Sequence, residues 1–428
     1  MFNINRTPSS DISNHGTTVA ILGGGVAGLS CALALKQRAG LHNVQVFEQA
    51  SAYDLPFRKG HGLMLMQNGV KALEALHMTH LLRHCTPLKQ AIFINAQGET
   101  LTTERLKNVY CMSRSSLVDG MLAKLPEGVV RYDQPCQNID LSSEFLNAQV
   151  GKKVSSIQFG SARLTDAGTN LFVDATGYRS PLCQTLNPDM ERPVSRVHEV
   201  VTSSHLPKLA AQLGNRFIKL MMPEQGLAFG VLAPTPERVI GFLQFDSTRY
   251  SPPPRQASAD DMRIFLQGLF WAAPEPISTY LRQADFSTAH VWRPINADIP
   301  TTIHCANAIA IGDAAHPLLP FTSQGVSAAL ADSIKLSDDI SNLQGDMTSL
   351  PQTLHTFSET RRRDLNVYVS GGRRILANFL NPTRTRKFVA PYIETTTKTA
   401  IRPISKALPV TTIDYRTVQF QPITTTIS

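Results

Sequence analysis

A glycine cluster between an apolar run and a helix-like segment constrains this chain more than any other feature. The sequence TTVAILGGGVAGLSCALALKQ begins at Thr17 and reads as a strand, a tight turn and a helix. Gly23, Gly25 and Gly28 match the GxGxxG pattern in the strand-to-helix context that the pattern requires. Gly23 permits the tight turn, Gly25 lets the backbone approach a pyrophosphate, and Gly28 lets helix and strand pack closely. The sequence therefore predicts a dinucleotide-binding βαβ unit.

An acidic residue stands where such a unit binds ribose. Glu48 follows Gly28 by twenty residues, at the end of the next apolar strand, where its carboxylate can accept hydrogen bonds from both ribose hydroxyls. Because this interaction requires a free 2′-OH, the 2′-phosphate of NADP disfavours NADP at the site. Val26 and Ala27 at the helix start, and Gln49 beside the acid, complete the predicted cofactor contacts, because helix N-termini offer free N–H groups to phosphates. The alternative interpretation is a glycine-rich turn with an ordinary surface glutamate.

Composition and cysteine placement limit the class of protein. Apolar residues make up 42% of the 428-residue chain and charged residues 17%, which excludes disordered and fibrous classes. Residues 1–15 lack the apolar core of a secretory signal, and no run of 18 apolar residues predicts a transmembrane span. Six scattered cysteines, without metal-ligand spacing, indicate reduced thiols and no metal site. We expect a cytoplasmic protein.

The net charge of +8 is concentrated near the end of the chain. Residues 361–416 contain twelve Lys or Arg and three acidic residues. We favour a solvated helix face over a contact with nucleic acid, a phosphorylated cofactor or an anionic membrane, because no nucleic-acid motif accompanies the basic residues. Peripheral membrane contact through this basic C-terminal region stays open, and we expect no nucleic-acid partner.

A second glycine-containing segment is longer and more distinctive. The stretch GDAAHPLLPFTSQGVSAALADS, residues 312–333, resembles the second flavin motif of the class A FAD-dependent monooxygenases, the para-hydroxybenzoate hydroxylase type. In that family the Asp touches the ribityl chain of FAD and the segment after the Pro runs beside the isoalloxazine. The helix that Gln324 opens can stabilise negative charge on a reduced flavin. The cofactor contacts implied here are Gly312, Asp313, Pro320, Gln324, Gly325 and Val326.

Two further segments match the family in order. VYCMSRSSLVDGML resembles the segment whose Arg lies near FAD, which makes Arg114 a cofactor contact. FVDATGYRSPLC resembles the Asp-Gly motif, but Thr176 stands where most of these hydroxylases have Asp, and Asp174 lies two residues earlier. This departure puts direct reduction by NADPH in question. The resemblance also implies that His316 orients backbone and that Arg361, Arg362 and Arg363 form ion pairs rather than contact substrate.

The catalytic and substrate residues are less sharply defined by the sequence. His61, in the segment KGHG that resembles the family's loop running up to the flavin, is either a proton donor or a loop histidine, and we favour the second interpretation. We expect Met222 and Phe229 on one wall of the substrate pocket and Pro320 and Phe321 on the other. No other residue is a catalytic candidate.

The pattern of elements predicts an α/β fold, a Rossmann-type FAD-binding domain with an inserted antiparallel-sheet substrate domain like that of para-hydroxybenzoate hydroxylase. Three strand-like runs between residues 216 and 245 predict the insert, and βαβ signals return near Ala308. Helical patterns cover residues 67–82, 115–125 and 354–380. We expect a flexible tail (1–16), the first part of the FAD-binding domain (17–185), the substrate domain (186–295), the resumed FAD-binding domain (296–350) and a C-terminal helical region with a tail (351–428).

The resemblance implies a function. We expect an FAD-dependent monooxygenase that hydroxylates or epoxidises a small aromatic or apolar molecule with O₂ and NAD(P)H, through a C4a-hydroperoxide of non-covalently held FAD. The alternatives are a flavoprotein reductase or cyclase without oxygen insertion, and a non-enzymatic FAD-binding protein. A flavin halogenase is weaker, because Trp271 and Trp292, the only tryptophans, do not form the WxWxIP motif.

Overall fold

The computed structural model describes residues 18–381 apart from 56–61, 148–150, 160–161, 252 and 255–256. Its strands are β1 Thr18–Leu22, β2 Asn43–Phe47, β3 Gly62–Leu65, β4 Thr86–Ile94, β5 Thr100–Ser113, β6 Val130–Arg131, β7 Cys136–Leu141, β8 Val154–Phe159, β9 Ala162–Thr165, β10 Leu171–Asp174, β11 Val197–His205, β12 Arg216–Met222, β13 Leu227–Thr235, β14 Arg238–Asp246, β15 His290–Trp292, β16 His304–Cys305 and β17 Ala308–Ala310. Its α-helices are α1 Val26–Gln37, α2 Gln67–Ala75, α3 Arg114–Lys124, α4 Pro181–Leu186, α5 Pro207–Leu213, α6 Ala259–Leu269, α7 Ile277–Gln283, α8 Gly325–Ser341 and α9 Leu350–Leu380.

The first sheet carries the glycine motif. Its order is β16-β17-β10-β1-β2-β6, and β1 pairs in parallel with both β10 and β2. Residues 19–22 of β1 are almost fully buried, as expected for a parallel strand covered on both faces. Helices α1 and α8 pack against each other beside this sheet. The predicted Rossmann-type unit, including its resumption at Ala308 in β17, is confirmed.

The second sheet contains the predicted insert. Strands β12, β13 and β14 form antiparallel pairs at its centre, in the order β15-β11-β14-β13-β12-β4-β5-β3. The predicted three-stranded core is therefore confirmed. Strands β3, β4 and β5 also join this sheet, through a parallel pairing of β4 with β12 that sets Phe93 opposite Lys219. Hydrophobic periodicity does not indicate which distant strand a given strand will pair with, so the pairing of β4 with β12 was not predicted.

The two faces of the second sheet have different coverings. Helices α5, α6 and α7 contribute to a core that covers one face, with side chains such as Leu209, Met262 and Tyr280. On the other face, Met221 and Ala228 belong to a cluster with Leu319 and Phe321 of the second glycine-containing segment. This second face is therefore the one that faces the predicted cofactor region.

The remaining elements complete the chain that the structure describes. Strands β7, β8 and β9 form a small antiparallel sheet. Helix α2 ends at Ala75, earlier than the predicted residue 82, and His77 has a φ of 53°, which breaks the helix before a short 3₁₀ turn at Thr79–His84. Helix α9 extends through Leu380 as predicted. None of the described helices is both long and apolar enough to cross a membrane. Most of the basic C-terminal region lies outside the described residues.

Candidate flavin site

The three glycines of the first motif occupy three different environments. Gly23 has a φ of +94°, and a Cβ there would lie 2.6 Å from the Ala175 carbonyl oxygen. A Cβ at Gly28 would lie 1.8 Å from the Gly23 carbonyl oxygen, so the helix packs directly on the turn. A Cβ at Gly25 would meet no described heavy atom within 4 Å. Gly23 and Gly28 are thus required by packing, whereas Gly25 borders open space at the N-terminus of α1.

Glu48 lies against this turn, at the carboxyl end of β2. Its carboxylate is almost fully buried and accepts hydrogen bonds from the Gly24 amide at 2.6 Å and the Ala50 amide at 2.7 Å. Burial and the neighbouring Glu48 raise the pKa of Tyr132. A carboxylate has roughly four acceptor positions, so this arrangement is compatible with ribose hydroxyls as further donors. Gln49, the next residue, is exposed.

The second glycine-containing segment meets the first directly. Gly312 has a φ of +59°, and a Cβ there would lie 2.8 Å from the Ala27 Cβ. Ser30 of α1 and Ser333 of α8 share a buried hydrogen bond of 2.7 Å. Asp313 is exposed although the residues on both sides of it are buried. Two motifs almost three hundred residues apart in sequence therefore form one continuous surface.

The N-terminus of α8 adjoins Asp313. A Cβ at Gly325 would lie 4.0 Å from the Asp313 Oδ1 atom. Gln324 occupies the N-cap position, and its side chain accepts a hydrogen bond from Asn68 at 3.1 Å instead of capping the helix. The Ser327 hydroxyl accepts a hydrogen bond from the Met66 amide at 3.0 Å. These contacts attach the segment after β3 to the start of α8, whose amides carry the positive end of the helix dipole.

A buried ionic network supports the second motif from behind. Asp332 accepts hydrogen bonds from Gly312 N at 2.8 Å, His316 Nε2 at 2.5 Å and Arg361 Nε at 2.7 Å. Burial alone would raise the pKa of Asp332, but His316 and Arg361 outweigh it and hold the pKa at about 2. The ion pairs expected of Arg361 and of the two arginines that follow it are present. The His316 side chain bonds the Asp332 carboxylate and no backbone group among the described residues. Asp332 was not among the residues predicted for the site, although it lies within residues 312–333.

The DATG turn lies beneath the first glycine motif. Asp174 is fully buried and accepts hydrogen bonds from Thr176 N at 2.9 Å and the Thr176 hydroxyl at 2.6 Å. Its second oxygen accepts from the Ser180 hydroxyl at 2.7 Å and Leu182 N at 3.0 Å. The carboxylate thus ties the turn to the start of α4, and the Thr176 hydroxyl is oriented toward this carboxylate.

The other predicted cofactor residues lie around the same surface. Arg114 is half-buried at the start of α3, with Nη1 3.4 Å from the Leu55 carbonyl oxygen, and α3 packs against α1. Val26 is buried at the start of α1, while Pro320 and Val326 are half-buried beside α8. The catalytic candidate His61 lies outside the described residues.

Two of the predicted pocket residues lie on the wrong side of the sheet. Phe229 packs against Phe270 and Tyr280 in the helix-covered core, with ring centroids 5.2 Å and 5.9 Å apart. Met222 also packs against that core. The expectation that both face the pocket is therefore wrong, because successive side chains of a strand point to opposite faces. Met221 and Ala228, one position away, pack with Phe321 of the second glycine-containing segment.

These residues fit FAD. Open space beside Gly25 adjoins the amides at the start of α1, and the first N–H groups of a helix have no intrahelical partner. Glu48 stands one strand away, where a dinucleotide ribose would follow the pyrophosphate. Gly312 packs against Ala27 and Gly325 lies near Asp313, so Asp313 and the start of α8 border the same surface and would hold the ribityl chain and the isoalloxazine.

Comparisons with known proteins agree with this arrangement. No family model matches the chain. A 3-amino-4-hydroxybenzoate 2-monooxygenase of Streptomyces platensis is 25% identical over 349 residues, which cover 76% of this chain and 80% of that protein. A salicylate hydroxylase of Pseudomonas putida is 24% identical over 378 residues, covering 81% and 82%.

Solved structures show the same fold. Klebsiella pneumoniae HpxO, complexed with FAD and uric acid, has a TM-score of 0.71 and 19% identity, with 85% of this chain and 88% of that chain covered. Pseudomonas aeruginosa PqsL, in complex with 2-aminobenzoylacetate, has a TM-score of 0.70 and 18% identity, with 86% and 98% covered.

Fold and site together define an FAD-dependent oxidoreductase with a Rossmann-type cofactor domain. Within that class, the chain is similar in sequence and in fold to class A FAD-dependent monooxygenases, which confirms the resemblance carried by its motifs.

Proposed function

We propose that this protein is an NAD(P)H-dependent monooxygenase that hydroxylates a small aromatic molecule. The observation that carries the proposal is the direct contact of Gly312 with Ala27, which joins a pyrophosphate-type turn to a flavin-type motif. The named activities of the sequence relatives, on salicylate and aminohydroxybenzoate, support an aromatic substrate. The overall reaction consumes one O₂, one NAD(P)H and one proton, and yields hydroxylated product, water and NAD(P)⁺.

The residues of the site have distinct tasks in this proposal. FAD supplies the redox chemistry when bound. Gly25 and the start of α1 hold the pyrophosphate, Glu48 accepts hydrogen bonds from the adenosine ribose, and Asp313 accepts them from the ribityl chain. The N-terminus of α8 stabilises negative charge on the reduced isoalloxazine. Asp332 holds Gly312 in place for these contacts.

The apolar wall excludes water. Met221 and Ala228 of the second sheet pack with Leu319 and Phe321, which precede α8. A dry environment strengthens the electrostatic interactions within a site and prevents side reactions with water. The same wall offers apolar surface to an aromatic ring held over the flavin.

Domain roles and compartment follow from the same proposal. Residues 17–185 and 296–350 build the FAD-binding domain, residues 186–295 build the substrate domain, and strands β3 to β5 extend the sheet of the latter. A cytoplasmic location is supported by six cysteines that are all free thiols.

Isotope labelling tests the activity. Under ¹⁸O₂, with NADH or NADPH and a panel of phenols, salicylates and aminobenzoates, we expect one ¹⁸O atom in the product. A coloured flavoprotein that consumes NAD(P)H without incorporating ¹⁸O would instead support a reductase or cyclase. A folded protein that ignores added FAD would contradict the whole proposal.

A matched glycine pair tests the cofactor site. Gly25→Val should fold and lose FAD, because its side chain enters the open space assigned to the pyrophosphate. Gly268→Val is the control, since its Cβ also meets no described atom within 4 Å but lies on the exposed surface of α6. Normal FAD content in Gly25→Val, measured by flavin absorbance, would show that the turn has been misassigned.

A further inference from the structure

Three polar side chains form a hydrogen-bonded row across the second sheet. Lys219 Nζ on β12 donates to Gln244 Oε1 on β14 at 2.7 Å. Gln244 Nε2 donates in turn to Glu199 Oε2 on β11 at 2.9 Å. The three residues are only 2–7% exposed, so the row places a cation and an anion in the interior of the protein, joined by one amide.

The row lies on the face turned toward the flavin motif. Gln244 is directly opposite Ala228 in the sheet register, and Lys219 lies two residues before Met221 on the same face of β12. Met221 and Ala228 pack with Phe321 of the flavin motif. The polar row therefore continues the apolar wall that we assign to the substrate pocket.

Folding alone does not account for these charges. Burial raises the pKa of Glu199 and lowers the pKa of Lys219, because both charged forms lose hydration. Replacing a buried ion pair by apolar residues of similar size is often neutral or stabilising. On the opposite face of the same strands, Val200, Leu243 and Leu220 are apolar and fully buried. Lys219 and Glu199 thus lie on the side that faces the cofactor region, whereas these three apolar residues lie on the other side.

The row also has hydrogen-bonding capacity for a ligand. An ammonium group has three donors, and Gln244 is the one hydrogen-bond acceptor of Lys219 within the described part of the chain. Gln244 is likewise the one donor to Glu199 among these residues, and it contacts only one of the two carboxylate oxygens.

We propose that this row is the polar end of the substrate pocket. Lys219 binds an anionic oxygen of the aromatic substrate, a carboxylate or a phenolate, and Glu199 accepts a hydrogen bond from an adjacent hydroxyl or amino group. Gln244 keeps the two charged groups apart and in register. This inference rests on the proposed function, since it concerns the substrate of the same site.

Ligand binding to the purified holoenzyme tests the inference. Flavin absorbance is titrated with the anions benzoate and salicylate, with phenol, which becomes an anion only if it ionises on binding, and with the neutral amides benzamide and salicylamide. These titrations report affinity without turnover. Lys219→Met should weaken binding of the anionic ligands roughly ten- to hundredfold, the scale for loss of a charged hydrogen bond. Affinity for the neutral amides should change little. Comparing the loss of affinity for benzoate with the loss of affinity for phenol then shows whether Lys219 binds a carboxylate or a phenolate.

Two further variants separate recognition from folding. Lys219→Arg should restore much of the preference for anions, because the positive charge returns. Lys219→Met combined with Glu199→Gln leaves no unpaired buried charge, and it should fold with normal FAD content yet show no preference for anions. Lys335→Met is the control, since Lys335 also pairs with a carboxylate, that of Asp339, but lies on α8 away from the sheet. This control should bind all five ligands as the wild type does.

The outcomes distinguish this inference from the proposed function. Equal weakening of anionic and neutral ligands in Lys219→Met overturns the inference, as does unchanged affinity or a wild type that binds none of the anionic ligands. In each case a protein that holds FAD and incorporates ¹⁸O into another aromatic molecule keeps the proposed function. If the protein incorporates no ¹⁸O but Lys219→Met still loses its preference for anions, the proposed function alone is contradicted.

Discussion

Replacing Asp332 by Asn should strongly destabilise the protein and loosen its flavin site. The Asp332 carboxylate is 1% exposed and neutralises Arg361, which is equally buried, across a distance of 2.7 Å. Asn can still accept a hydrogen bond from Gly312 N, but among the described residues it leaves Arg361 with one carboxylate, that of Asp364, 3.8 Å from Nη1. Removing one partner of a buried ion pair costs about 3–5 kcal/mol. Total stabilities are roughly 5–15 kcal/mol, so the loss is a large fraction.

Urea unfolding of the FAD-free protein measures this loss, and the same helix offers a control. Asp338 also pairs with an arginine, Arg38, but both side chains are 18% exposed. Asp338→Asn should therefore cost about 1 kcal/mol or less. Adding Arg361→Met to Asp332→Asn should recover stability, because the uncompensated charge is gone. The reasoning would be refuted if the two Asp→Asn variants were equally destabilised.

Three further predictions follow from the site. The pKa of Asp332 is lowered from 3.8 to about 2 in the folded protein, so its ionised form contributes roughly 2 kcal/mol to the free energy of unfolding. This contribution is complete above about pH 4 and is lost as the pH falls toward 2. Urea titrations across this range should show that stability falls less steeply with acid in Asp332→Asn than in the wild type. Glu48→Ala should weaken FAD binding by about 1–3 kcal/mol, and an unchanged FAD titration would mean that Glu48 does not contact the cofactor. Thr176→Val removes one hydrogen bond to Asp174 and should cost about 1–2 kcal/mol of stability. Anaerobic stopped-flow should show that NADH or NADPH reduces the flavin directly in the wild type and in this variant. A wild-type flavin that neither cofactor reduces would indicate a separate electron donor.

Local steric requirements made much of the cofactor site predictable. Gly23 and Gly28 are needed wherever a strand turns sharply into a helix that packs on the turn, so their spacing alone indicated the βαβ unit. The second motif was recognisable because its glycines and Asp313 are close in sequence. Apolar runs also located β12, β13 and β14, since a buried strand leaves a continuous hydrophobic signal.

The faces of the second sheet were not predictable with the same reliability. Its central strands are buried on both sides, so their sequences lack the alternation that marks an inner and an outer face. For this reason Met222 and Phe229 were expected to face the pocket, whereas Met221 and Ala228 are the residues that pack with Phe321 of the flavin motif. A usable signal was present: Lys219 is the one charged residue in the otherwise apolar run from Phe217 to Met222, and Glu199 is the one acidic residue in β11.

The sequence by itself determined several local units: the glycine turn, the flavin motif, strands such as β1, β2, β12, β13 and β14, and the longer helices. Each depends on contacts between residues that are near one another in the chain. Tertiary structure alone decided which distant residues meet: Gly312 with Ala27, Asp332 with Arg361, β4 with β12, and the row from Lys219 to Glu199. The physical reason is that burial and ion pairing depend on the packing of whole sheets and helices, which a local pattern does not encode.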